Sequence, residues 1–333
     1  MAALTRRHFV AKACAALGAA SLSAVVPDVI SASEKSSAPR WTSPFRVAVI
    51  TDETAQDFDK ACFIAAHEFG MQWVEVRELW NKNLMNLTSA EIAEAQRILK
   101  KYQLRVTDIA SPLFKVDWPG APTSKFSPKG DQFNANFGFD QQPQVLEKCV
   151  EAAKAFQTDR VRGFDFWRLE DQAPYRQAIN AKLADAARQL AKRNIIFVLE
   201  NEHACNTATG AEAAKVLGAI SAANFMLNWD PGNAAAAGEI PYPNGYDLLP
   251  KHRIGHCHCK DAAKKPDSTS SEWMPVGKGT IDWVGQFRAL KQSGYTLGVS
   301  LETHWRGAGT PEESSRESWT GMKADLQKAG ALS

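Results

Sequence analysis

The feature that most constrains this chain is a repeated alternation of short apolar runs with longer runs of helical periodicity, from residue 46 to residue 330. Eight apolar runs, with the residues that end them, have strand length: 46–51, 73–80, 105–111, 160–167, 195–199, 225–233, 253–261 and 297–305. Between and after them, apolar residues recur at helical spacing in 58–69, 88–102, 144–156, 174–193, 211–220, 247–252, 282–293 and 316–329. Strands that alternate with helices in this way form a parallel sheet.

Eight such units are the number that closes a parallel sheet into a barrel. An open, doubly wound sheet is the alternative, but the first strand is not followed by the Gly-x-Gly-x-x-Gly pattern that a dinucleotide-binding fold requires. We therefore predict an α/β protein with one domain, a (β/α)8 TIM barrel over residues 46–330.

Four of the later strand-like runs end in a carboxylate or contain an imidazole: Glu200, Asp230, His258 and Glu302. The carboxyl ends of parallel barrel strands converge on one rim, so these side chains are expected to meet despite their separation in sequence. Three carboxylates and one neutral imidazole form an oxygen-rich ligand set. This set predicts one divalent cation, Mn²⁺ in the first place or Mg²⁺, with Co²⁺ and Zn²⁺ as further possibilities.

Two histidines, His256 and His258, lie two residues apart and therefore point to the same face of a strand. One is expected to bind the metal and the other to contact a ligand or the substrate; we favour His258 as the ligand. Cys257 and Cys259 then face the covering helices, where a packing role is expected.

Further polar and aromatic residues near the same rim are candidates for substrate binding: His203, His256, Lys260, His304, Glu75 and Trp305. Neutral imidazoles donate to sugar hydroxyls, and tryptophan rings stack on sugar rings. The alternatives are surface histidines, salt bridges inside the barrel and core tryptophans; Trp229 and Trp273 are open to the same two readings. The long loop 115–143 is either a substrate wall or a simple insertion.

The N-terminus carries a separate signal. Arg6 and Arg7 form a twin-arginine pattern before an Ala-rich run, 13–26, that is too short to span a membrane. We predict a cleavable export signal over residues 1–32, a linker over 33–45 and a periplasmic mature protein; a cytosolic amphipathic start is the alternative. Removing 1–32 takes away three basic residues and one acidic residue, which lowers the formal charge from +2 to about zero. Such a protein is not expected to bind nucleic acid or to insert stably into a membrane.

Five motifs together resemble the xylose isomerase-like TIM barrel superfamily, whose members are usually labelled sugar phosphate isomerases/epimerases. They are Leu-Glu-Asn-Glu-His at 199–203, Trp-Asp-Pro-Gly-Asn at 229–233, His-Cys-His-Cys-Lys-Asp at 256–261, Pro-Val-Gly-Lys-Gly-Thr-Ile-Asp-Trp at 275–283 and Leu-Glu-Thr-His at 301–304. The likeness extends to 50–53, 74–77 and 110–115. It implies one divalent metal held by the four residues named above. In ketose epimerases of this superfamily the two metal-bound glutamates also move the proton, which implies a catalytic role for Glu200 and Glu302. The chain departs from the family in having Lys278 where the loop usually carries glutamate.

The function that this resemblance implies is a sugar isomerase or epimerase that removes a proton alpha to a carbonyl through a metal-stabilised enediolate. A keto-sugar lyase or dehydratase, for example one acting on 3-keto-glycosides, would use the same metal and base and is the main alternative. A non-catalytic metal- and sugar-binding barrel is a remote one. An endonuclease of this superfamily would need more histidines from the early strands and a basic face. The expected partner is a small carbohydrate, and homo-oligomerisation remains open.

Overall fold

Eight parallel strands form the central sheet of the computed structural model, which describes residues 41–127, 132–265 and 271–333. The strands in chain order are β1 (Arg46–Val49), β2 (Trp73–Val76), β3 (Glu78–Leu79), β4 (Lys82–Asn83), β5 (Arg105–Leu113), β6 (Arg160–Gly163), β7 (Ile196–Glu200), β8 (Phe225–Trp229), β9 (Ile254–Cys259), β10 (Asp261–Lys264), β11 (Ser271–Met274) and β12 (Gly298–Leu301). The sheet order is β1-β12-β9-β8-β7-β6-β5-β2, and β3–β4 and β10–β11 are separate hairpins. A parallel bridge between Ile50 and Glu75 joins β1 to β2. The predicted (β/α)8 barrel is confirmed.

The helices surround this sheet. They are α1 (Thr51–Thr54), α2 (Phe58–Phe63), α3 (Ser89–Lys101), α4 (Gln142–Ala155), α5 (Arg176–Ala191), α6 (Gly210–Ala219), α7 (Pro231–Ala236), α8 (Trp283–Gln292) and α9 (Pro311–Lys328). The start of α3 contains the capping box that its sequence predicts. Thr88 accepts from the backbone N–H of Glu91 at 3.2 Å, and the Glu91 carboxylate accepts from the backbone N–H of Thr88 at 2.8 Å. This capping box satisfies two donors that the first turn leaves unpaired. None of the helices in the described ranges is long and apolar enough to cross a membrane.

The helix predicted over 247–252 is wrong. The crossover after β8 instead begins at once with α7, because Asp230 caps its first turn and Pro231 occupies its first position. Most of 247–252 lies outside any α-helix, and Lys251–Arg253 forms a single 3-10 turn after Pro250. The fourth barrel strand is also shorter than predicted: it ends at Gly163, and Phe166 adopts a left-handed backbone conformation with φ 69°.

The apolar core lies between the outer face of the sheet and the helices. Cys257 and Cys259 are buried in that core, as expected from their alternation with the histidines. His256 and His258 point into the barrel, where they contact residues of the opposite strands β2 and β5. The barrel interior is therefore polar near its carboxyl-terminal rim. The predicted signal 1–32 and the linker up to residue 40 lie outside the described residues.

Candidate metal centre

Four strand-end side chains converge at the rim of the barrel, in agreement with the expected positions. Glu200 ends β7, Asp230 follows β8, His258 lies in β9 and Glu302 follows β12, and one ligand atom from each lies within 4.8 Å of the others. The Nδ1 atom of His258 is 3.4 Å from Glu200 Oε1, 3.4 Å from Asp230 Oδ2 and 3.2 Å from Glu302 Oε2. All four residues are buried. This geometry places three carboxylate oxygens around one imidazole nitrogen.

The backbone and two asparagines hold the carboxylates in place. The Oδ1 atom of Asp230 accepts from the backbone N–H of Asn233 at 2.8 Å, which leaves Oδ2 directed at His258. Asn233 also donates through its side chain to Glu200 Oε1 at 3.1 Å. Asn201 accepts from the backbone N–H of Asp230 at 2.8 Å. The positions of Asn201 and Asn233 were not predicted as functional, although both lie in the motifs that carry the family resemblance.

The orientation of His258 is fixed from inside the barrel. Its Nε2 atom lies 3.1 Å from Glu75 Oε1, so that Nδ1 is the nitrogen that faces the carboxylates. Burial opposes ionisation of Glu75, but the neighbouring imidazoles of His258 and His256 lower its pKa to about 2. A carboxylate behind a histidine ligand is a common arrangement at metal sites, because it fixes the ring and increases its basicity.

His256 lies deeper in the barrel than His258. Its ring nitrogens are 3.1 Å from Asn228 Oδ1 and 3.3 Å from Thr107 Oγ1. Burial lowers the pKa of His256 to about 3, which keeps the ring neutral. His256 and Glu75 were expected to contact substrate; both are fully buried and lie inside the barrel, behind His258. Their position fits support of His258 instead.

The donor set fits a divalent cation. The Oδ2 atom of Asp230 and the Oε2 atom of Glu200 are buried and make no hydrogen bond of good geometry within the described residues. Burial lowers the pKa of His258, but the charges of Glu75, Glu200 and Glu302 outweigh this effect and raise it well above its ordinary value. The cluster therefore favours positive charge at His258 Nδ1, which a metal ion would supply in place of a proton. Oxygen-rich sites of this kind suit hard or borderline divalent ions.

Three buried cations pair with the same carboxylates. Lys260 Nζ lies 2.8 Å from Asp230 Oδ2 and 2.5 Å from Glu302 Oε2. Arg77 Nη1 lies 2.9 Å from the other oxygen of Glu302, Oε1. Arg162 pairs with Glu200 in the same way, with Nη1 3.1 Å from Oε2. Arg162 was not predicted; an arginine inside a buried strand is the signal that could have identified it, because a buried charge requires a partner.

These cations help to keep both glutamates ionised. Burial raises the pKa of Glu302, but Lys260, His304 and His258 lower it well below its ordinary value. Burial likewise raises the pKa of Glu200, and His258 with Arg162 lowers it overall. Both carboxylates are therefore charged at neutral pH.

Two histidines border the centre, each backed by a carboxylate. His203 Nδ1 is 2.7 Å from Glu202 Oε1, and His304 Nδ1 is 3.3 Å from Glu53 Oε1. Both histidines are partly exposed, unlike His258, and so lie where a molecule could reach them from solvent.

The aromatic residue beside these histidines is Trp273, on the hairpin strand β11. Its ring centroid lies 6.3 Å from His203 and 5.2 Å from His304, and Lys260 Nζ is 5.3 Å from it. Trp305, a predicted substrate-binding residue, is partly buried, and its indole packs against Gly307; its contact with substrate stays a prediction. The other candidate, Trp229, is buried in the core and donates to Gln286 at 3.0 Å.

The glycine-rich loop at 275–283 is filled by a carboxylate of the chain itself. Asp261 accepts from the backbone N–H groups of Gly277 at 2.9 Å and Gly279 at 3.0 Å. Lys278, in contrast, is exposed and pairs with Glu317 on α9. The loop donors that would bind a phosphate group are thus already occupied.

The fold is that of an α/β barrel with four possible metal ligands at its rim, and the comparisons identify the family. The family model of the xylose isomerase-like TIM barrel matches residues 63–324, so the chain belongs to that family. Among curated proteins, no match is found.

Solved structures show the same fold at low sequence identity. IolI protein with a bound zinc atom is 16% identical, with a TM-score of 0.61 over 86% of this chain and 98% of that one. The probable 3-DHS dehydratase AsbF of Bacillus anthracis is 17% identical, with a TM-score of 0.62 over 84% and 98%. D-allulose 3-epimerase of Methylomonas sp., in complex with D-allulose, is 16% identical, with a TM-score of 0.60 over 86% and 98%.

Proposed function

We propose that the protein is a divalent-metal-dependent sugar isomerase or epimerase that moves a proton alpha to a carbonyl group. The observation that carries this proposal is the pairing of two rim glutamates, each with its own arginine, around one histidine: Glu200 with Arg162 and Glu302 with Arg77. Glu200, Asp230, His258 and Glu302 would hold the metal, for which Mn²⁺ is our first expectation. The zinc in IolI makes Zn²⁺ a second one.

When bound, the cation would polarise the substrate carbonyl and stabilise the negative charge that develops on its oxygen. The protein supplies the remaining steps. One of the two glutamates removes the proton from the alpha carbon and later releases it to solvent. In an epimerisation the other glutamate takes up a proton from solvent and delivers it to the opposite face of the same carbon. Lys260 stabilises the oxygen that gains negative charge, because its ammonium group already lies between Asp230 and Glu302.

The glycine-rich loop supports an unphosphorylated substrate. Asp261 takes up the N–H groups of Gly277 and Gly279, and bringing a phosphate dianion next to a buried carboxylate would cost electrostatic energy. An unphosphorylated sugar also fits the predicted periplasmic location, which remains a proposal.

A keto-sugar lyase or dehydratase is the second candidate. Elimination requires a group that protonates the leaving oxygen, in addition to the base that removes the alpha proton. The two carboxylate-backed histidines, His203 and His304, supply acid–base groups of this kind beyond Glu200 and Glu302.

The experiment that separates these candidates is incubation of Mn²⁺-loaded protein with D-allulose, D-fructose and a methyl 3-keto-glucoside in deuterated water. Deuterium at the alpha carbon of an intact sugar, observed by NMR, supports the isomerase or epimerase. Loss of methanol or water from the sugar supports the lyase. Glu302→Gln is expected to abolish exchange, because it removes one of the two proton carriers. Exchange at the wild-type rate in this variant would refute the role given to Glu302.

Glu312→Gln is the matched control. Glu312 is also a glutamate close to a lysine, but it pairs with Lys60 on the helix side of the barrel. This variant is expected to exchange like the wild type.

A further inference from the structure

Lys115 is a nearly buried lysine just beyond the carboxyl-terminal end of β5. Only 4% of its side chain is exposed. Its Nζ atom lies 4.0 Å from the ring centroid of Phe133, 4.9 Å from that of Phe164 and 5.3 Å from that of Trp167. The ammonium group is therefore surrounded by three aromatic rings at the rim of the barrel.

This ammonium group lacks the hydrogen bonds that Lys260, a second buried lysine, and Lys148, a partly buried one, make. Within the described residues, Lys115 Nζ makes no hydrogen bond, and its ion-pair partner Glu202 Oε2 is 3.8 Å away. Lys260, in contrast, donates to Glu302 at 2.5 Å, and Lys148 donates to the backbone carbonyl of Met85 at 2.7 Å. Buried charged groups in proteins are normally both paired and hydrogen-bonded.

The aromatic rings compensate for only part of this loss. A cation–π contact is weaker than the hydrogen bonds to water that an ammonium group loses on burial. A lysine with a purely structural role would be expected to reach a carbonyl or carboxylate oxygen. Beyond the ion pair with Glu202, the donors of Lys115 are available to water or to an oxygen of a ligand.

The position of Lys115 relates it to the metal centre. The guanidinium carbon of Arg162 lies over the same two rings, 5.3 Å from the centroid of Phe133 and 4.8 Å from that of Phe164. Arg162 in turn contacts Glu200. Lys115 and Arg162, the partner of Glu200, therefore contact the same two aromatic rings.

We propose that Lys115 is a substrate-binding residue that donates a hydrogen bond to a hydroxyl or carbonyl oxygen of an uncharged sugar. Because Glu202 lies at ion-pair distance, the positive charge of Lys115 is partly neutralised, which favours a neutral oxygen over a carboxylate or phosphate. The inference deepens the proposed function and rests on it, since the sugar that occupies the metal centre is the ligand that Lys115 would hold.

The test compares Lys115→Met with the wild type in the deuterium-exchange assay, using whichever sugar of the panel reacts. Methionine keeps the unbranched chain and the aromatic contacts but removes the donors. We expect KM to rise roughly tenfold to hundredfold, the loss of one charge-assisted hydrogen bond, with little change in kcat. The Mn²⁺ content is expected to stay at the wild-type level. Lys115→Arg, which keeps the charge and donors, is expected to retain part of the affinity.

Lys182→Met is the control for loss of a lysine from an aromatic contact. Lys182 lies on α5, away from the metal centre, and its Nζ atom is 4.7 Å from the ring centroid of Phe139. Its KM is expected to equal that of the wild type. A wild-type KM in Lys115→Met, or an equal rise in Lys182→Met, would overturn the assignment of Lys115.

A failure of the proposed function gives a different result. If metal-loaded wild type exchanges no sugar of the panel, binding of D-allulose and D-fructose is measured by saturation-transfer NMR. Signals that are present in the wild type and lost in Lys115→Met would still support the inference. Equal signals in both proteins, or none in either, would reject it.

Discussion

Replacing Glu75 with glutamine tests whether the carboxylate behind His258 determines the affinity of the proposed metal centre. Glu75 Oε1 lies 3.1 Å from His258 Nε2, and both side chains are fully buried. Glutamine has nearly the same shape but removes the negative charge. The three carboxylates on the other side of His258 remain unchanged, so that the substitution acts on the metal centre through the support given to the ring.

The magnitude follows from comparable sites. Removing the partner of a metal-bound histidine typically costs 10–100-fold in metal affinity, or roughly 1.4–2.7 kcal/mol. Glu75 is at the upper end of this range by position, because burial excludes the water that would otherwise replace the lost contact. We therefore expect the Kd for Mn²⁺ to rise by roughly hundredfold.

The assay is competition for Mn²⁺ against a fluorescent chelator at pH 7, with thermal unfolding of the metal-free proteins measured in parallel. Asp108→Asn is the matched control. Asp108 lies on the neighbouring strand β5, and burial together with the charge of Glu75 raises its pKa to about 8. Its carboxyl group is then mostly uncharged at pH 7, and asparagine preserves that state. A Kd in Glu75→Gln within twofold of the wild type, with the fold intact, would refute this account of His258.

Three further predictions concern other parts of the chain. The folded-state pKa of Asp108 is raised to about 8, so the folded protein holds a proton that the unfolded chain loses near pH 4. The free energy of unfolding of the wild type should therefore fall as pH rises from about 4 to about 8. In thermal unfolding, the stability of Asp108→Asn relative to the wild type should increase over the same range. Lys278→Ala should leave the KM for an unphosphorylated sugar unchanged, since Lys278 pairs with Glu317 on the surface. A severalfold rise in KM would indicate that the loop at 275–283 contacts the substrate. Replacing Arg6 and Arg7 together by lysine should stop export of the full-length chain, measured by cell fractionation, and normal export would contradict the twin-arginine assignment.

The sequence predicted the parts of the fold that depend on local pattern. Apolar runs and helical periodicity identified the eight barrel units, and Thr88 with Glu91 identified the start of α3. The failure at 247–252 has a physical cause. Pro250 lies inside the segment and disfavours helical backbone at the residue before it, and only the 3-10 turn Lys251–Arg253 follows.

The candidate site was predictable to the extent that barrel topology determines it. Glu200, Asp230, His258 and Glu302 were expected to meet because parallel strands end at a common rim, and the structure brings them together. The surroundings were not predictable in this way. Phe133 reaches the rim from a long loop, and Trp273 reaches it from a hairpin, so their positions depend on how each segment folds back over the barrel.

The central claim is that one divalent cation lies between those four side chains. X-ray diffraction from crystals of the protein grown with Mn²⁺, with anomalous data collected at the manganese edge, tests it most directly. We expect a single strong anomalous peak within coordination distance of His258 Nδ1 and of oxygens of Glu200, Asp230 and Glu302. A peak elsewhere, or no peak at saturating Mn²⁺, would contradict the account.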